Sequence, residues 1–137
     1  MAGPARAGAL IYAHNLDKLS AFYQQLLGMS LLHAGTELQV IASPDFQLII
    51  HALPAHIAAS FSIAVPPVQR EEQAIKLFFT VDSMAAAASQ ARALGGDLFG
   101  PVYAGPGFQM RNGYDLEGNV FQLREALVSA QHASPPI

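Results

Sequence analysis

The chain carries one pattern twice, and that repetition limits what it can fold into more than any other feature. Residues 9–28 read as a short apolar segment, a polar turn and an amphipathic stretch ending in Leu27-Gly28. Residues 76–96 repeat that order and end in Leu94-Gly95-Gly96. A later apolar segment of each half then carries the same triplet, Phe46-Gln47-Leu48 in the first and Phe121-Gln122-Leu123 in the second. Two copies are too few for a solenoid, which needs at least about three stacked units to bury a continuous core. The repetition instead predicts two related modules, with equivalent positions of the halves facing a shared cavity.

Local patterning fills in each module. Residues 9–13 are short and apolar on both faces, as expected of a strand covered on one side by a helix. Asn15 can cap the following helix through its side-chain oxygen. Apolar residues at 16, 19, 22, 23, 26 and 27 make a single stripe at helical spacing, and Gly28 terminates it in the left-handed conformation. Strands are expected over 30–34, 37–42 and 46–51, divided by Gly35-Thr36 and Ser43-Pro44-Asp45, which are good turn formers. Pro54, Pro66 and Pro67 interrupt regular structure in the connector. The second module begins with a strand over 76–81. Ser83 caps a helix running to Leu94, and strands follow near 97–100, 108–112 and 119–124. The Gly105-Pro106-Gly107 turn separates two of them. The prediction is an α+β fold of two βαβββ modules within a single domain spanning 1–137. Module one covers about 8–52, the connector about 53–74, module two about 75–125, and a frayed Ala/Ser/Pro tail 126–137.

A chain of 137 residues is long enough to bury roughly two-thirds of its unfolded surface. Hydrophobic residues make up 52% and charged residues only 12%, a surplus of apolar surface that predicts a homodimer. The net charge of −3 and the lack of any basic run argue against nucleic acid or an anionic membrane as partner. With no cysteine there is neither a disulfide framework nor a thiolate metal site, which suits the cytoplasm. Met1 to Gly8 lacks the basic-then-apolar order of a signal peptide. No segment reaches the roughly 18 apolar residues of a membrane helix.

Taken in order, Asn15-Leu16-Asp17, Ala21-Phe22-Tyr23 and Leu26-Leu27-Gly28-Met29 resemble the opening of the vicinal oxygen chelate superfamily. That superfamily includes glyoxalase I, bleomycin-resistance proteins and extradiol dioxygenases. Val81-Asp82-Ser83, Leu94-Gly95-Gly96 and Asp115-Leu116-Glu117-Gly118-Asn119 extend the resemblance over 9–125, with Leu116 replacing a usual proline. The resemblance implies paired curved mixed sheets, each of four strands, around a cup-shaped cavity. It also implies four cup-facing positions, two per half, that in the family can hold a divalent metal through His, Glu or Gln. Those positions fall on Gly8, Gln47, Lys76 and Gln122. Glycine has no donor atom, lysine presents a cation at neutral pH, and two amide oxygens are weak ligands for zinc, nickel or iron. The expectation is therefore no metal and no other cofactor.

Period-two alternation from these positions places Leu10, Tyr12, Ile49, His51, Phe78, Thr80, Val120 and Arg124 on the concave face. Residues 9, 11, 13, 46, 48, 50, 77, 79, 81, 121 and 123 face the helices, and all are apolar. The ligand-binding candidates are Tyr12, Gln47, His51, Lys76, Phe78, Gln122 and Arg124, with Lys76 able to pair an anion. Each has a plainer reading. Lys76 can extend to solvent at a strand start, the glutamines can be satisfied core amides, and Tyr12 and Phe78 can be ordinary core. Three functions follow: a metal-independent protein that binds a small anionic or aromatic molecule, as in bleomycin resistance; a divergent metal-dependent lyase, isomerase or dioxygenase using His51 with Glu37 or His14; or a non-catalytic structural or regulatory dimer with a filled cup. No catalytic residue is assigned.

Overall fold

The computed structural model describes residues 5–127; the first four residues and tail residues 128–137 lie outside it. The chain divides into two compact units, Met1–Val68 and Gln69–Ile137.

In the first unit, β1 (Gly8–Ala13), α1 (Leu16–Leu27), β2 (Ser30–Ala34), β3 (Leu38–Ser43) and β4 (Phe46–Ala52) follow one another, and a short helix, α2 (Ala55–Ala58), lies in the expected connector. The sheet order is β1-β4-β3-β2. Only β1 and β4 run parallel, with Ile11 opposite Ile50. Asn15 caps α1 by accepting the Lys18 N–H at 3.1 Å, and Gly28 ends it at φ 65°, a conformation that glycine adopts without a Cβ penalty. The apolar stripe of α1 lies on β3 and β4, where Leu19, Phe22, Tyr23 and Leu26 are buried with Ile41, Leu48 and Ile50. Each such side chain contributes about 1.5–3 kcal/mol on leaving water. Polar groups join this layer as well: the fully buried Ser20 hydroxyl accepts from the Gln24 amide at 2.9 Å, and the buried Gln39 amide donates to Asp17 Oδ1 at 2.8 Å, tying β3 to the first turn of α1.

The second unit is built from β5 (Phe78–Thr80), α3 (Met84–Ala93), β6 (Asp97–Leu98), β7 (Tyr103–Gly105), β8 (Phe108–Tyr114) and β9 (Val120–Ala126). Its order, β5-β9-β8-β6, repeats that of the first sheet, with the edge strand β5 again parallel to its neighbour β9. Ser83 caps α3 by accepting the Ala86 N–H at 3.1 Å. Ala87, Ala88 and Ala91 are buried, and their small side chains let the helix lie close to β6 and β9. Gly95 supplies the left-handed residue after the helix at φ 96°.

The second sheet has five strands where four were expected. The strand expected over 97–100 stops at Leu98, and Tyr103–Gly105 forms a separate strand on the same neighbour, β8. Gly100 and Pro101 break the run, so two short pieces occupy the place that β2 fills in the first sheet. The strand expected over 76–81 shortens to Phe78–Thr80, although Gln122 N–H still donates to Leu77 O and Val81 N–H to Arg124 O. The start of the expected tail is also structured: Ala126 ends β9, and Leu127 N–H donates to Gly107 O.

The face division holds at most positions. Ala13, Leu48, Ile50, Phe121 and Leu123 are buried, whereas Leu10, Tyr12, Phe78 and Thr80 are exposed. Val120, on the cup face, is buried as well: it lines a cavity with Lys76 and Asn112, and the Gln73 amide bonds both its N–H and its carbonyl. Among the described residues no helix is long and apolar enough to cross a membrane.

Candidate functional site

Each sheet carries its candidates on the face turned away from its helix, and the strand registers decide which of them meet. In the first unit Gly8 stands opposite Gln47 and Tyr12 opposite His51. The Tyr12 and His51 rings approach with centroids 5.6 Å apart, and His51 Nδ1 donates to the Ala52 carbonyl at 2.8 Å. A Cβ on Gly8 would come within 2.5 Å of the Gln47 carbonyl oxygen, so any larger residue here forces that backbone to shift. Gln47 borders an open cavity of about 920 Å³ that Arg6, Ser30, Leu32, Asp45 and Phe46 also line.

In the second unit the candidates form two adjoining groups. Lys76 Nζ lies 3.4 Å from Asn112 Oδ1, and both line a cavity of about 300 Å³ with Glu71, Gln73, Phe99 and Tyr103. The backbone break after β6 shapes one wall. Phe99 N–H donates to Asn112 O at 2.8 Å, and Arg111 Nε donates to Phe99 O at 2.9 Å, so both backbone groups of Phe99 are held. The second group is Phe78, Gln122 and Arg124. Gln122 is opposite both Phe78 and Asn112 in register, and its Oε1 accepts from Arg124 Nε at 3.0 Å. The Arg124 guanidinium lies 3.8 Å from the Phe78 ring centroid and 4.8 Å from that of Phe108.

Sequence reasoning missed Glu71, Gln73, Phe99, Tyr103 and Asn112. Asn112 was within reach of the alternation argument, being one strand over from Gln122. Glu71 and Gln73 carry no such signal, because a connector has no periodicity to place them.

The four family metal positions do not fit a metal shell in this chain. Gly8 has neither a donor nor room for one, Lys76 is a cation, and the Gln122 oxygen already accepts from Arg124. Two of the substitutes considered from sequence make hydrogen bonds of their own. His14 Nε2 faces the Ala58 and Phe61 carbonyl oxygens, each at 3.0 Å, and His51 uses Nδ1 on Ala52. Among the described residues no three His, Asp or Glu side chains converge.

Comparison with known proteins agrees with this architecture. No curated protein sequence matches the chain. A glyoxalase/bleomycin resistance protein/dioxygenase family enzyme from Burkholderia phytofirmans PsJN is similar in structure, with a TM-score of 0.66 at 21% identity over 90% of this chain and 100% of its own. The bleomycin resistance determinant encoded on transposon Tn5 gives 0.58 at 18% identity, covering 90% of this chain and 98% of its own. A fosfomycin resistance protein from Mesorhizobium loti gives 0.61 at 12% identity, covering 96% and 99%. These likenesses are of fold. The glyoxalase-like domain family matches residues 9–124, nearly the whole of both βαβββ units, and the chain belongs to that family, within the vicinal oxygen chelate superfamily.

Proposed function

We propose that this chain is a metal-independent binding protein for a small molecule bearing an anionic or carbonyl group. The observation that carries the reading is the cavity in the second unit, where the Lys76 ammonium sits beside Asn112 and which Phe99 and Tyr103 also line. A cavity with apolar walls and a few placed polar groups is the usual form of a small-molecule site. Lys76 supplies a cation for an oxyanion or carbonyl oxygen, and the Asn112 amide nitrogen can donate beside it. The cavity favours a ligand-binding protein over a dimer with filled interior. The poor ligand chemistry at Gly8, Gln47, Lys76 and Gln122 favours binding without a metal over a lyase, isomerase or dioxygenase.

The same reading includes a cytoplasmic homodimer. Leu10, Tyr12, Leu31, Leu32 and Phe78 are all large, apolar and at least 45% exposed, and such surface is commonly covered in an oligomer. Sedimentation at micromolar concentration tests it, and a monomer would overturn that part.

Native mass spectrometry of freshly purified protein tests the central claim. A retained organic molecule without a stoichiometric metal, released more readily from Lys76→Met, is the expected result. Stoichiometric zinc, nickel, iron or manganese, lost when Gln47 and Gln122 are both changed to Ala, would overturn the metal-free reading and favour an enzyme.

A further inference from the structure

We propose that Arg124 is a carboxylate anchor, so that the ligand of this protein carries a carboxylate group. The proposal rests on reading the chain as a small-molecule binder, but on a different side chain from those lining the Lys76 cavity.

A guanidinium has two kinds of surface. Its faces are weakly hydrated and stack on aromatic rings, whereas its N–H donors all point outward within its plane. Phe78 and Phe108 can satisfy only the faces of Arg124, with ring centroids at 3.8 and 4.8 Å. Gln122 Oε1 takes the Nε–H at 3.0 Å and so fixes the rotation of the plane. The terminal Nη groups have no acceptor among the described residues, and the one ion pair found there joins Arg92 to Asp97 instead. Arg124 is half-buried, opposite Thr80 and Met110 in the strand registers, so no carboxylate neighbours it on the adjoining strands of this face.

An arginine that merely covered apolar surface would need neither the Gln122 bond nor an unoccupied donor edge. Held by two rings and one hydrogen bond, this guanidinium has already lost most of its rotamer freedom, which removes part of the ordering cost of binding. Its remaining edge presents two parallel N–H groups, the arrangement that a planar carboxylate accepts through both oxygens. A neutral amide can accept with only one oxygen and brings no charge. The exposed Phe78 ring offers apolar surface beside this edge for the rest of the molecule.

Benzoate is a suitable probe, with benzamide as its uncharged counterpart, each titrated into the isotope-labelled full chain while arginine side-chain and backbone NMR signals are followed. Benzoate is expected to shift the Arg124 signals and to bind at least about tenfold more tightly than benzamide, the margin of one charge-assisted bidentate pair. Arg124→Met should weaken benzoate by about tenfold, and Arg124→Lys, which keeps the charge without the fork, by about fivefold. Gln122→Leu, which releases the guanidinium plane, should weaken it too, while Lys18→Met in α1 serves as the charge-matched control and leaves it unchanged. Thermal melts identify any variant that fails to fold, and Arg124→Lys and Gln122→Leu each test the claim independently. Equal affinity for benzoate and benzamide, unchanged benzoate binding in both Arg124 variants, or no benzoate binding at all would overturn the proposal. Loss of benzoate binding in Lys76→Met but not in the Arg124 variants would overturn it while leaving the Lys76 cavity as the ligand site.

Discussion

The carboxylate of Glu125 on β9 accepts the backbone N–H of Met84, the first residue of α3. An acid placed there meets both an unsatisfied donor and the positive end of the helix dipole, while Ser83 accepts the Ala86 N–H of the same first turn. Glu125 comes from the sheet, so the bond also fixes where α3 begins on it. Glu125→Ala is expected to destabilise the protein by about 1–2 kcal/mol, and Glu125→Gln by roughly half as much, because a neutral acceptor remains. Urea unfolding measures both. Equal stability of the three proteins would refute the role.

Asp115 organises the β8–β9 hairpin. Fully buried, it accepts from the Glu117 N–H at 2.9 Å, the Asn119 N–H at 3.1 Å and the Asn119 side-chain amide at 2.9 Å. Removing the carboxylate strands several donors at once, so Asp115→Ala should cost about 2–4 kcal/mol. Asp115→Asn should also destabilise, since its NH2 group turns a donor toward other donors. Unchanged denaturant midpoints in both variants would contradict this account.

Glycine at position 8 is dictated by space. Gly8→Ala should lose about 1–3 kcal/mol as the Gln47 backbone gives way to the new methyl group. Gly8→His places an imidazole at a family ligand position, yet it is expected to behave as a destabilised protein with no gain in zinc affinity. Zinc titration by native mass spectrometry decides, and stoichiometric zinc on Gly8→His would show that the chain can be returned to metal binding by one change.

His14 holds α2. Its Nε2 faces the Ala58 and Phe61 carbonyl oxygens, and its ring packs edge-on against Phe61 at 5.0 Å. In His14→Ala, the amides of Ala58, Ala59 and Ser60 should exchange with solvent at least about tenfold faster, reporting local opening. Exchange at Ile50, deep in β4, should not change. Uniform acceleration throughout the first unit would mean that His14 supports the whole unit.

These cases also show why some of the molecule could be read from the sequence and some could not. Helix α1 and strand β2 have the predicted bounds because their signals are local: a stripe from Leu19 to Leu26, an Asn15 cap, a Gly28 stop. The resemblance carried by Leu94-Gly95-Gly96 and the 115–119 hairpin gave the family for the same reason. Strand β7 was missed because Tyr103–Gly105 is three residues long, without alternation, and becomes a strand only by pairing with β8. Helix α2 has no stripe of its own, and its one visible anchor is His14, 44 residues away from Ala58. Val120 lies on the face expected of it, but its burial could not be read, since Gln73, which bonds its backbone, is 47 residues distant. Among the site candidates, the pairing of Gln122 with Phe78 followed from register. The contact of Lys76 with Asn112 and the stacking of Arg124 did not, since they depend on where long side chains turn.

The two sheets differ at one place that bears on how such a protein can change over time. In the first, β2 runs as one strand along β3, with a single register shift at Leu32. In the second, its counterpart is interrupted between Leu98 and Tyr103, and the released residues contribute Phe99 and Pro101 to the cavity wall. Asn112 and Arg111 hold the Phe99 backbone, and those bonds are indifferent to the side chain, whose ring rests against Tyr114 at 5.5 Å between centroids. Substitutions at 99–102 should therefore reshape the cavity wall without disturbing the layer in which Phe121 and Leu123 pack. The half with the broken strand is thus the half whose cavity wall has the most room to vary in sequence while the sheet beneath it stays the same.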